Sequence, residues 1–342
     1  MKHGEVILKK DAPLIGLLGQ PNTGKSTLFN ALTGARQHVG NWPGKTVEKK
    51  EGSFKYKGKK YTLLDLPGTY SLSANSEEEL ITRQNIIGKD IDLVVALVDA
   101  SQLERSMFLL SEVVGIKQPI VVLLNMIDVA KSQGREIDVP RLSKLLGIPV
   151  LPFVASQGKG MDELYAILEN GNYQQYILQE DALKKEYETQ IGESFTELEE
   201  KLKPFRTDTY TSMWLVTKLF EGDKEITESI KNTAEKKEWS KIQKLLAETT
   251  NGLLTSADCK FNWLHRIAKD VIVKQRETGT LLNHFDKVAT SPILGKIIAA
   301  CVMVLSIYAS YKLGYTLSNL SGIIYGYAYS AAYTGLSAIS AP

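Results

Sequence analysis

Cysteine and histidine are scarce in this chain of 342 residues. The two cysteines, Cys259 and Cys301, are too few for a disulfide-stapled fold or for a zinc site built from thiolates. The four histidines are scattered along the sequence, so their spacing predicts no metal cluster. Residues 1–11 are charged and lack an apolar run of signal-peptide length. These absences favour a protein whose bulk stays in the cytosol.

A large excess of charge of either sign is also absent. The chain has 41 Lys and Arg residues against 39 Asp and Glu residues, which gives a formal net charge of +2. Such a balance leaves no electrostatic footprint for non-specific nucleic-acid binding. The charge is unevenly distributed, however, because Lys312 is the only charged residue from Ile297 to Pro342. A highly charged part is therefore followed by an almost uncharged C-terminal tail.

Short apolar runs alternate with helical stretches through the first half of the chain. Continuous apolar strands separated by helices are typical of a parallel sheet that is covered on both faces. The predicted strands are residues 14–18, 61–64, 93–98, 120–124 and 150–154. Beyond them, strand-like runs vanish and Glu, Lys and Leu recur at helical spacing. The predicted organisation is an α/β domain over 1–170, a small all-α domain over 171–270, an amphipathic linker over 271–296 and a hydrophobic membrane segment over 297–342.

Residues 19–26 (GQPNTGKS) follow the first predicted strand and precede a helical stretch that ends at Gly34. This is the G-x-x-x-x-G-K-[ST] phosphate loop in its required strand–loop–helix context. Its backbone N–H groups and the helix N-terminus would hold phosphates, Lys25 would reach the β- and γ-phosphates, and Ser26 would ligate Mg²⁺. The alternative is a glycine-rich turn without a ligand. The loop predicts a P-loop small-GTPase fold with nucleotide contacts from Gly19, Asn22, Thr23, Gly24, Lys25, Ser26 and Thr27.

Two further loops come directly after predicted strands. Asp65 opens the sequence DLPG, where it can hold the metal through water while Gly68 lets a backbone N–H approach the γ-phosphate. Asp128 ends the sequence NMID, where its carboxylate can accept hydrogen bonds from N1–H and N2–H of guanine, a donor pair that adenine lacks. An ordinary turn and an Asx turn or helix cap are the respective alternatives. Their order after the phosphate loop favours guanine-nucleotide binding.

Within the GTPase class, residues 39–48 (VGNWPGKTVE) closely resemble the first switch of the FeoB ferrous iron transporter family. Residues 65–72 (DLPGTYSL) and residues 99–105 (DASQLER) resemble that family too, whereas the loop 154–156 (VAS) resembles the corresponding loop of small GTPase domains in general. The resemblance covers roughly residues 12–310 and places the helical part by position, without a motif of its own.

The resemblance implies roles for individual residues. Thr46 would ligate Mg²⁺ in the triphosphate state, so that Lys25, Thr46 and Gly68 form the catalytic set. Asn22 would hold a K⁺ ion with the backbone carbonyls of Gly40 and Trp42, which would offset charge developing between the β- and γ-phosphates. A turn-stabilising role is the alternative for Asn22. The remaining nucleotide contacts would come from Gly44, Asp65, Asn125, Met126, Asp128, Val154, Ala155 and Ser156.

Two residues depart from the expected pattern. Thr69 stands where Ras-like proteins carry the water-orienting glutamine, which predicts slow hydrolysis. Val154 stands where the family usually has serine in its base-contacting loop, although the Ala155 N–H would still reach the guanine oxygen. Arg105 is interpreted as a solvated or ion-paired surface group, and residues 73–79 as a helix cap with an acidic first turn.

The tail predicts membrane attachment. Residues 297–311 form an uncharged run that approaches the ~20 residues needed to span a bilayer. A second stretch, residues 313–342, carries no charge, and Ser318, Gly322 and Gly326 are spaced for close helix packing. One or two membrane helices are predicted, with a buried core helix as the alternative. From Ile297 onward there is no Asp, Glu or His, so this chain by itself has no ion path.

The sequence therefore predicts a membrane-tethered GTPase module that couples nucleotide state to Fe²⁺ uptake. We expect GTP or GDP, Mg²⁺ and K⁺ as ligands, and the inner membrane as location with the GTPase part in the cytosol. Expected partners are membrane lipid, a separate polytopic iron permease, further copies of the chain and small Feo-type accessory proteins, without nucleic acid. The alternatives are a soluble GTPase of ribosome or RNA maturation and a GTP-binding scaffold with negligible hydrolysis.

Overall fold

The computed structural model of the chain describes residues 12–34, 37–88, 90–249, 251–275, 288–289 and 291–339. The chain divides into two compact units, Met1–Arg276 and Glu277–Pro342. The first unit contains a sheet and its covering helices, and the second contains one long helix. Expectations for residues 1–11, for Arg36 and for half of the predicted linker lie outside the described residues.

Seven strands form one sheet in the described part of the first unit, in the order β2-β3-β4-β1-β5-β6-β8. The strands of the unit are β1 (Leu14–Gly19), β2 (Gln37–Asn41), β3 (Glu48–Tyr56), β4 (Lys59–Asp65), β5 (Leu93–Asp99), β6 (Ile120–Asn125), β7 (Arg135–Ile137), β8 (Val150–Pro152) and β9 (Ile272–Gln275). The five strands from β4 to β8 in this order pair in parallel, whereas β2, β3 and β4 pair antiparallel. The predicted parallel-rich α/β sheet is confirmed.

Helices cover both faces of the sheet, because the central strands are apolar on both sides. The helices are α1 (Lys25–Thr33), α2 (Glu77–Ile87), α3 (Leu103–Val113), α4 (Ile127–Ser132), α5 (Val139–Leu146) and α6 (Met161–Asn170). Leu28 of α1 and Leu164 of α6 belong to one core cluster with the buried residues of β1 that face them. Met107 of α3 and Leu142 of α5 belong to a second cluster on the other face. This arrangement leaves the carboxyl ends of the parallel strands for loops.

The segment that follows is helical, as the sequence predicts. It comprises α7 (Asp181–Ile191), α8 (Glu193–Leu202), α9 (Ser212–Phe220), α10 (Lys224–Thr233), α11 (Lys236–Glu248) and α12 (Gly252–Val271). Trp214 of α9 and Leu264 of α12 are buried in the same core cluster as Met107 of α3. The helical segment thus shares a continuous apolar core with one face of the sheet.

Four strands are absent from the sequence prediction. β2 lies at the edge of the sheet and β3 lies next to it; both are polar, so neither shows a continuous apolar run. β7 and β9 pair antiparallel with each other, and the N–H of Asp138 donates to the carbonyl of Val271 at 2.8 Å. Ile272–Gln275, assigned from sequence to a linker, is therefore a strand held by the sheet-bearing part of the chain.

The second unit contains helix α13 (Leu294–Ile339), which has 46 residues and is about 69 Å long at 1.5 Å per residue. Residues Leu294–Thr334 are long and apolar enough to cross a membrane, and none of the most apolar window is buried. The sequence predicts one or two membrane helices in this tail, and the described residues form one continuous helix. The absence of burial in this window disfavours the alternative of a core helix.

Candidate nucleotide-binding site

The turn between β1 and α1 exposes backbone donors at the N-terminus of α1. Gly24 adopts φ +96° at the start of the helix, and a Cβ atom there would lie 2.3 Å from Asn125 Nδ2. Both the positive φ and this close approach require glycine. No side chain caps the helix, so its first N–H groups are free to bind an anion. Thr23, whose Oγ1 donates to the carbonyl of Gln20 at 2.8 Å, closes the loop from inside.

Gly24→Ala tests this geometry. We expect nucleotide affinity to fall at least tenfold, because the added methyl would displace the Asn125 amide and strain the turn. Isothermal titration with GDP measures the effect. Gly34→Ala is the matched control, since Gly34 also has positive φ but no atom lies within 4 Å of its Cβ position. Equal losses in the two variants would contradict the role assigned to Gly24.

Lys25, Asp65 and Gly68 come together beside this helix N-terminus. Lys25 Nζ lies 3.5 Å from Asp65 Oδ1 and 3.5 Å from the position that a Cβ of Gly68 would take. Asp65 Oδ1 is buried and accepts no hydrogen bond from the residues that the structure describes. Burial raises the pKa of Asp65, and the charges of Lys25 and Lys50 oppose this rise. A buried carboxylate oxygen without a donor fits an oxygen-seeking dication such as Mg²⁺, either directly or through water.

Asn125 joins the phosphate loop to the loop after β8. Its Nδ2 donates to the Thr23 carbonyl at 2.8 Å, and its Oδ1 accepts from the Ala155 N–H at 2.9 Å. The sequence analysis gives that N–H to the guanine oxygen, whereas here it is used to hold Asn125. Asp128 stays exposed on α4, and its Oδ2 accepts from Gln157 Nε2 at 3.2 Å. The two loops predicted to contact the base therefore meet on one side of the phosphate loop.

The other predicted contacts from the phosphate and base loops are placed by the same elements. Ser26 and Thr27 are exposed in the first turn of α1, and Gly19 ends β1. Met126 adopts φ +58° at the start of α4. Val154 is buried and Ser156 is exposed beside Ala155. All of them remain predictions as ligand contacts.

The first switch lies at the sheet edge. Gly40 in β2 pairs with Lys49, and the Trp42 carbonyl accepts from the Lys45 N–H at 3.0 Å. Exposed Thr46 donates to Glu77 Oε2 at 3.4 Å, and Gly44 adopts φ +69°. In this conformation the Thr46 hydroxyl is therefore engaged by Glu77. The K⁺ ligands Asn22, Gly40 and Trp42 remain a prediction.

Two contacts near the phosphate loop escaped the sequence analysis. The Arg105 guanidinium lies over the Tyr70 ring, 5.8 Å from its centroid, and the Arg105 carbonyl accepts from Gln20 Nε2 at 2.7 Å. These residues border a cavity of about 120 Å³ beside Asn22. Arg105 is exposed, as the sequence predicts for a surface group, and in addition lies over Tyr70. No local signal could have found these contacts, because Gln20, Tyr70 and Arg105 of α3 are far apart in the sequence.

Helix α2 begins as predicted and also reaches the helical segment. The Glu79 N–H donates to Ser76 Oγ at 3.2 Å, which confirms the cap. Arg83, 2% exposed, forms ion pairs with Asp223 and Glu225 at the start of α10. The Arg83–Asp223 pair spans 140 residues of sequence. The helix that follows the DLPG loop is thereby fixed to the helical segment.

Together, a phosphate loop before α1, a buried Asp65 at the end of β4 and an Asn125 bridge between loops define a P-loop guanine-nucleotide-binding fold. Family comparisons agree with this class. The family model for ferrous iron transport protein B matches residues 14–168, and the model for the FeoB cytosolic helical domain matches residues 187–273. The chain belongs to the FeoB family.

Individual relatives support the same assignment. The Fe(2+) transporter FeoB of Shigella flexneri is 34% identical over 315 residues, which cover 90% of this chain and 40% of the relative. The structure of the cytosolic domain of L. pneumophila FeoB is 34% identical, with a TM-score of 0.62, and covers 75% of this chain and 98% of that one. The T. maritima FeoB cytosolic domain in its GMPPNP form is 33% identical, with a TM-score of 0.62, and covers 76% and 98% respectively. This chain spans about two fifths of the length of the curated relatives.

Proposed function

We propose that this chain binds and slowly hydrolyses GTP, and that its nucleotide state regulates Fe²⁺ uptake by a membrane transport system. The observation that carries the proposal is the cluster of Lys25, Asp65 and Gly68 at the uncapped N-terminus of α1. Fe²⁺ is assigned from the relatives, which are named as Fe(2+) transporters. Hydrolysis of GTP by the purified chain, measured as phosphate release, tests the enzymatic part.

The residues around this cluster would contact different parts of the bound nucleotide and its metal ion. Lys25 would neutralise charge on the β- and γ-phosphates, and the Gly68 N–H would contact the γ-phosphate. Ser26, Thr46 and Asp65 would hold Mg²⁺, which supplies charge stabilisation to the phosphates when bound. Thr46 has to leave Glu77 to do so. The first switch, residues 36–46, would change conformation with nucleotide state.

Slow hydrolysis follows from the residue after the DLPG loop. Thr69 is buried, and its hydroxyl donates to the Ser71 carbonyl at 2.7 Å. A hydroxyl that is committed in this way is not available to orient an attacking water. Thr69, which stands in the place of the Ras-like glutamine, is therefore not expected to orient the attacking water.

A K⁺ ion held by Asn22 would compensate for the missing glutamine. Hydrolysis is then expected to be at least tenfold faster in K⁺ buffer than in Na⁺ buffer, and Asn22→Ala should remove the difference. Multiple-turnover phosphate release in the two buffers measures it. Rates near background in both buffers would support the scaffold alternative instead.

Asp128→Asn tests base recognition. The amide cannot accept from both N1–H and N2–H of guanine, so we expect GTP affinity to fall by about 10²-fold or more. XTP should gain affinity, because its 2-oxo group accepts from the new amide. Competition binding with GTP, XTP and ATP checks this result, and Asp138→Asn, which alters the cap of α5, is the control. Unchanged discrimination between GTP and XTP would refute the assignment.

We further propose that α2 transmits nucleotide state to the helical segment through Arg83. Arg83→Met removes the ion pairs to Asp223 and Glu225. If the pairs couple the two parts, the variant should keep GTP affinity and lose GTP-dependent stimulation of Fe²⁺ uptake in cells. Full uptake in this variant would contradict the coupling.

The C-terminal helix α13 would tether the chain to the inner membrane, with the nucleotide site on the cytosolic side. A polytopic iron permease, further copies of the chain or small Feo-type proteins would complete the system. Capture from solubilised membranes followed by mass spectrometry tests the partner. A stoichiometric polytopic protein is expected, whereas absence of the chain from the membrane fraction would favour the soluble GTPase alternative.

A further inference from the structure

The tip of the β3–β4 hairpin, residues 55–60, carries a concentration of positive charge that the nucleotide site does not use. Four of its six residues are lysines, and all four are exposed: Lys55, Lys57, Lys59 and Lys60. The two remaining residues are Tyr56 and Gly58. The tip lies at the amino end of β4, whereas the nucleotide loops follow the carboxyl ends of the parallel strands.

Two of these lysines oppose each other directly. Lys55 and Lys60 are partners in the antiparallel register, which places their side chains on the same face of the hairpin. Like charges in such a pair destabilise a sheet. Among the residues that the structure describes, neither lysine forms an ion pair. The repulsion between Lys55 and Lys60 is therefore not offset by an ion pair within the described residues.

The tip is held in a defined shape. Lys57 and Gly58 adopt φ +46° and +81°, as a tight two-residue hairpin turn requires. Lys57 Nζ lies 2.8 Å from Glu169 Oε2 of α6. Tyr56 stacks on Tyr165 of the same helix, with ring centroids 4.3 Å apart. The turn that carries the lysines is therefore already ordered, so binding does not have to offset the entropy of ordering it.

The chemistry of the tip favours a surface of anionic phosphate groups. Lysine binds phosphate as a point charge, without the bidentate geometry that arginine uses to read a defined group. Nucleic-acid binding by stacking would need a free aromatic face, whereas Tyr165 stacks on one face of Tyr56 and Lys57 Nζ lies over the same ring, 5.5 Å from its centroid. A membrane tether would also hold the chain near anionic headgroups at high effective concentration.

We propose that the hairpin tip docks on the anionic headgroups of the membrane to which the chain is tethered. This inference rests on the proposed membrane attachment through α13. Docking would orient the nucleotide-binding unit relative to the bilayer and would respond to lipid charge and to salt. Each lysine near such a surface contributes about fivefold to binding.

The test uses the full chain in nanodiscs of phosphatidylcholine alone or mixed with phosphatidylglycerol. Acetylation of individual lysines by a water-soluble reagent is followed by mass spectrometry. Lys55 and Lys60 should be labelled roughly fivefold more slowly in the anionic discs than in the neutral ones. The protection should disappear in about 1 M salt, where the Debye length is ~3 Å. Exposed Lys236 and Lys237 of α11 should be labelled equally in all discs.

A matched pair of double variants completes the test. Lys55→Gln with Lys60→Gln should abolish the protection of Lys59 in anionic discs, and Lys236→Gln with Lys237→Gln should leave it. Equal labelling of Lys55 and Lys60 in both discs, with the chain present in both, would overturn the docking and leave the attachment intact. Protection by an added RNA but not by anionic lipid would also overturn it. A chain that enters neither disc would overturn both proposals.

Discussion

Glu112→Ala is expected to lower the free energy of unfolding by about 3–5 kcal/mol, because it leaves two buried cations with one carboxylate. Glu112 lies on α3, 3% exposed, and accepts from Lys218 Nζ of α9 at 2.7 Å and from Lys260 of α12. Glu221 pairs with the same two lysines and closes a neutral group of four charges. Urea unfolding followed by tryptophan fluorescence measures the change, and Trp214 reports directly because its indole N–H donates to the Glu112 carbonyl.

The pH dependence of this effect has a defined sign. Burial raises the pKa of Glu112, but Lys218 and Lys260 outweigh burial and hold its pKa well below the ordinary 4.5. Its contribution to stability is therefore present above pH 4.5 and is lost as the pH falls below that value. Burial lowers the pKa of Lys218, and Glu112 and Glu221 reverse this and raise it above 10.5. The contribution of Lys218 is present below pH 10.5 and is lost above it.

Glu104→Ala is the matched control for Glu112→Ala. Glu104 lies on the same helix and pairs with His265 at 3.0 Å, but both side chains are largely exposed. Glu104→Ala should lower the free energy of unfolding by about 0–1 kcal/mol. Similar losses for Glu104→Ala and Glu112→Ala at neutral pH would mean that the buried group does not stabilise the packing of α3 on the helical segment.

Lys25→Ala is expected to reduce the rate of GTP hydrolysis by about 10²–10³-fold. The ammonium group is the fixed positive charge beside Asp65 and Gly68, and no other lysine or arginine reaches Asp65 Oδ1 within 4.0 Å in the described residues. Its loss removes stabilisation of charge that develops on the phosphates. Single-turnover hydrolysis at saturating GTP measures the chemical step separately from nucleotide affinity.

The control for Lys25→Ala removes a lysine remote from the site. Lys144 is exposed in the last turn of α5, and Lys144→Ala should hydrolyse GTP at the parent rate. Circular dichroism of both variants should match the parent, since Lys25 belongs to the surface of a cleft rather than to the core. A Lys25→Ala rate within tenfold of the parent would contradict the role of the cluster.

The sequence predicts the central strands and the phosphate loop because their signals are local. A strand such as Leu93–Asp99 is buried on both faces and so reads as one apolar run. Glu48–Tyr56 does not, because it is rich in polar and charged residues, although it pairs with β2 on one side and with β4 on the other. It is held by pairing with β4 and by Gly52, where a Cβ would lie 2.4 Å from Thr33 of α1. Neither contact leaves a local pattern.

The candidate site likewise contains residues that a local motif identifies and contacts that no local motif identifies. Residues 19–26 carry their chemistry within one loop, so the motif is sufficient to find them. The bridge from Asn125 to the Thr23 carbonyl joins residues 102 positions apart, and it also uses the Ala155 N–H that the sequence analysis gives to guanine. Lys260 and Glu112 are 148 positions apart. Such pairs depend on the completed packing and cannot be read from spacing along one sequence.

The pairing of β9 with β7 has a mechanical consequence. Gln275, at the end of β9, is paired with Arg135, and β7 follows α4, which carries Asp128. Arg135 in turn donates to the Ser101 carbonyl after β5. Tension applied to the chain beyond Gln275 is borne first by this short ladder, not by the end of α12. A pull on the proposed C-terminal tether would therefore load β7 and, through it, α4 with Asp128, so the β7–β9 ladder is where such a force would enter the part of the chain that carries the predicted base contact.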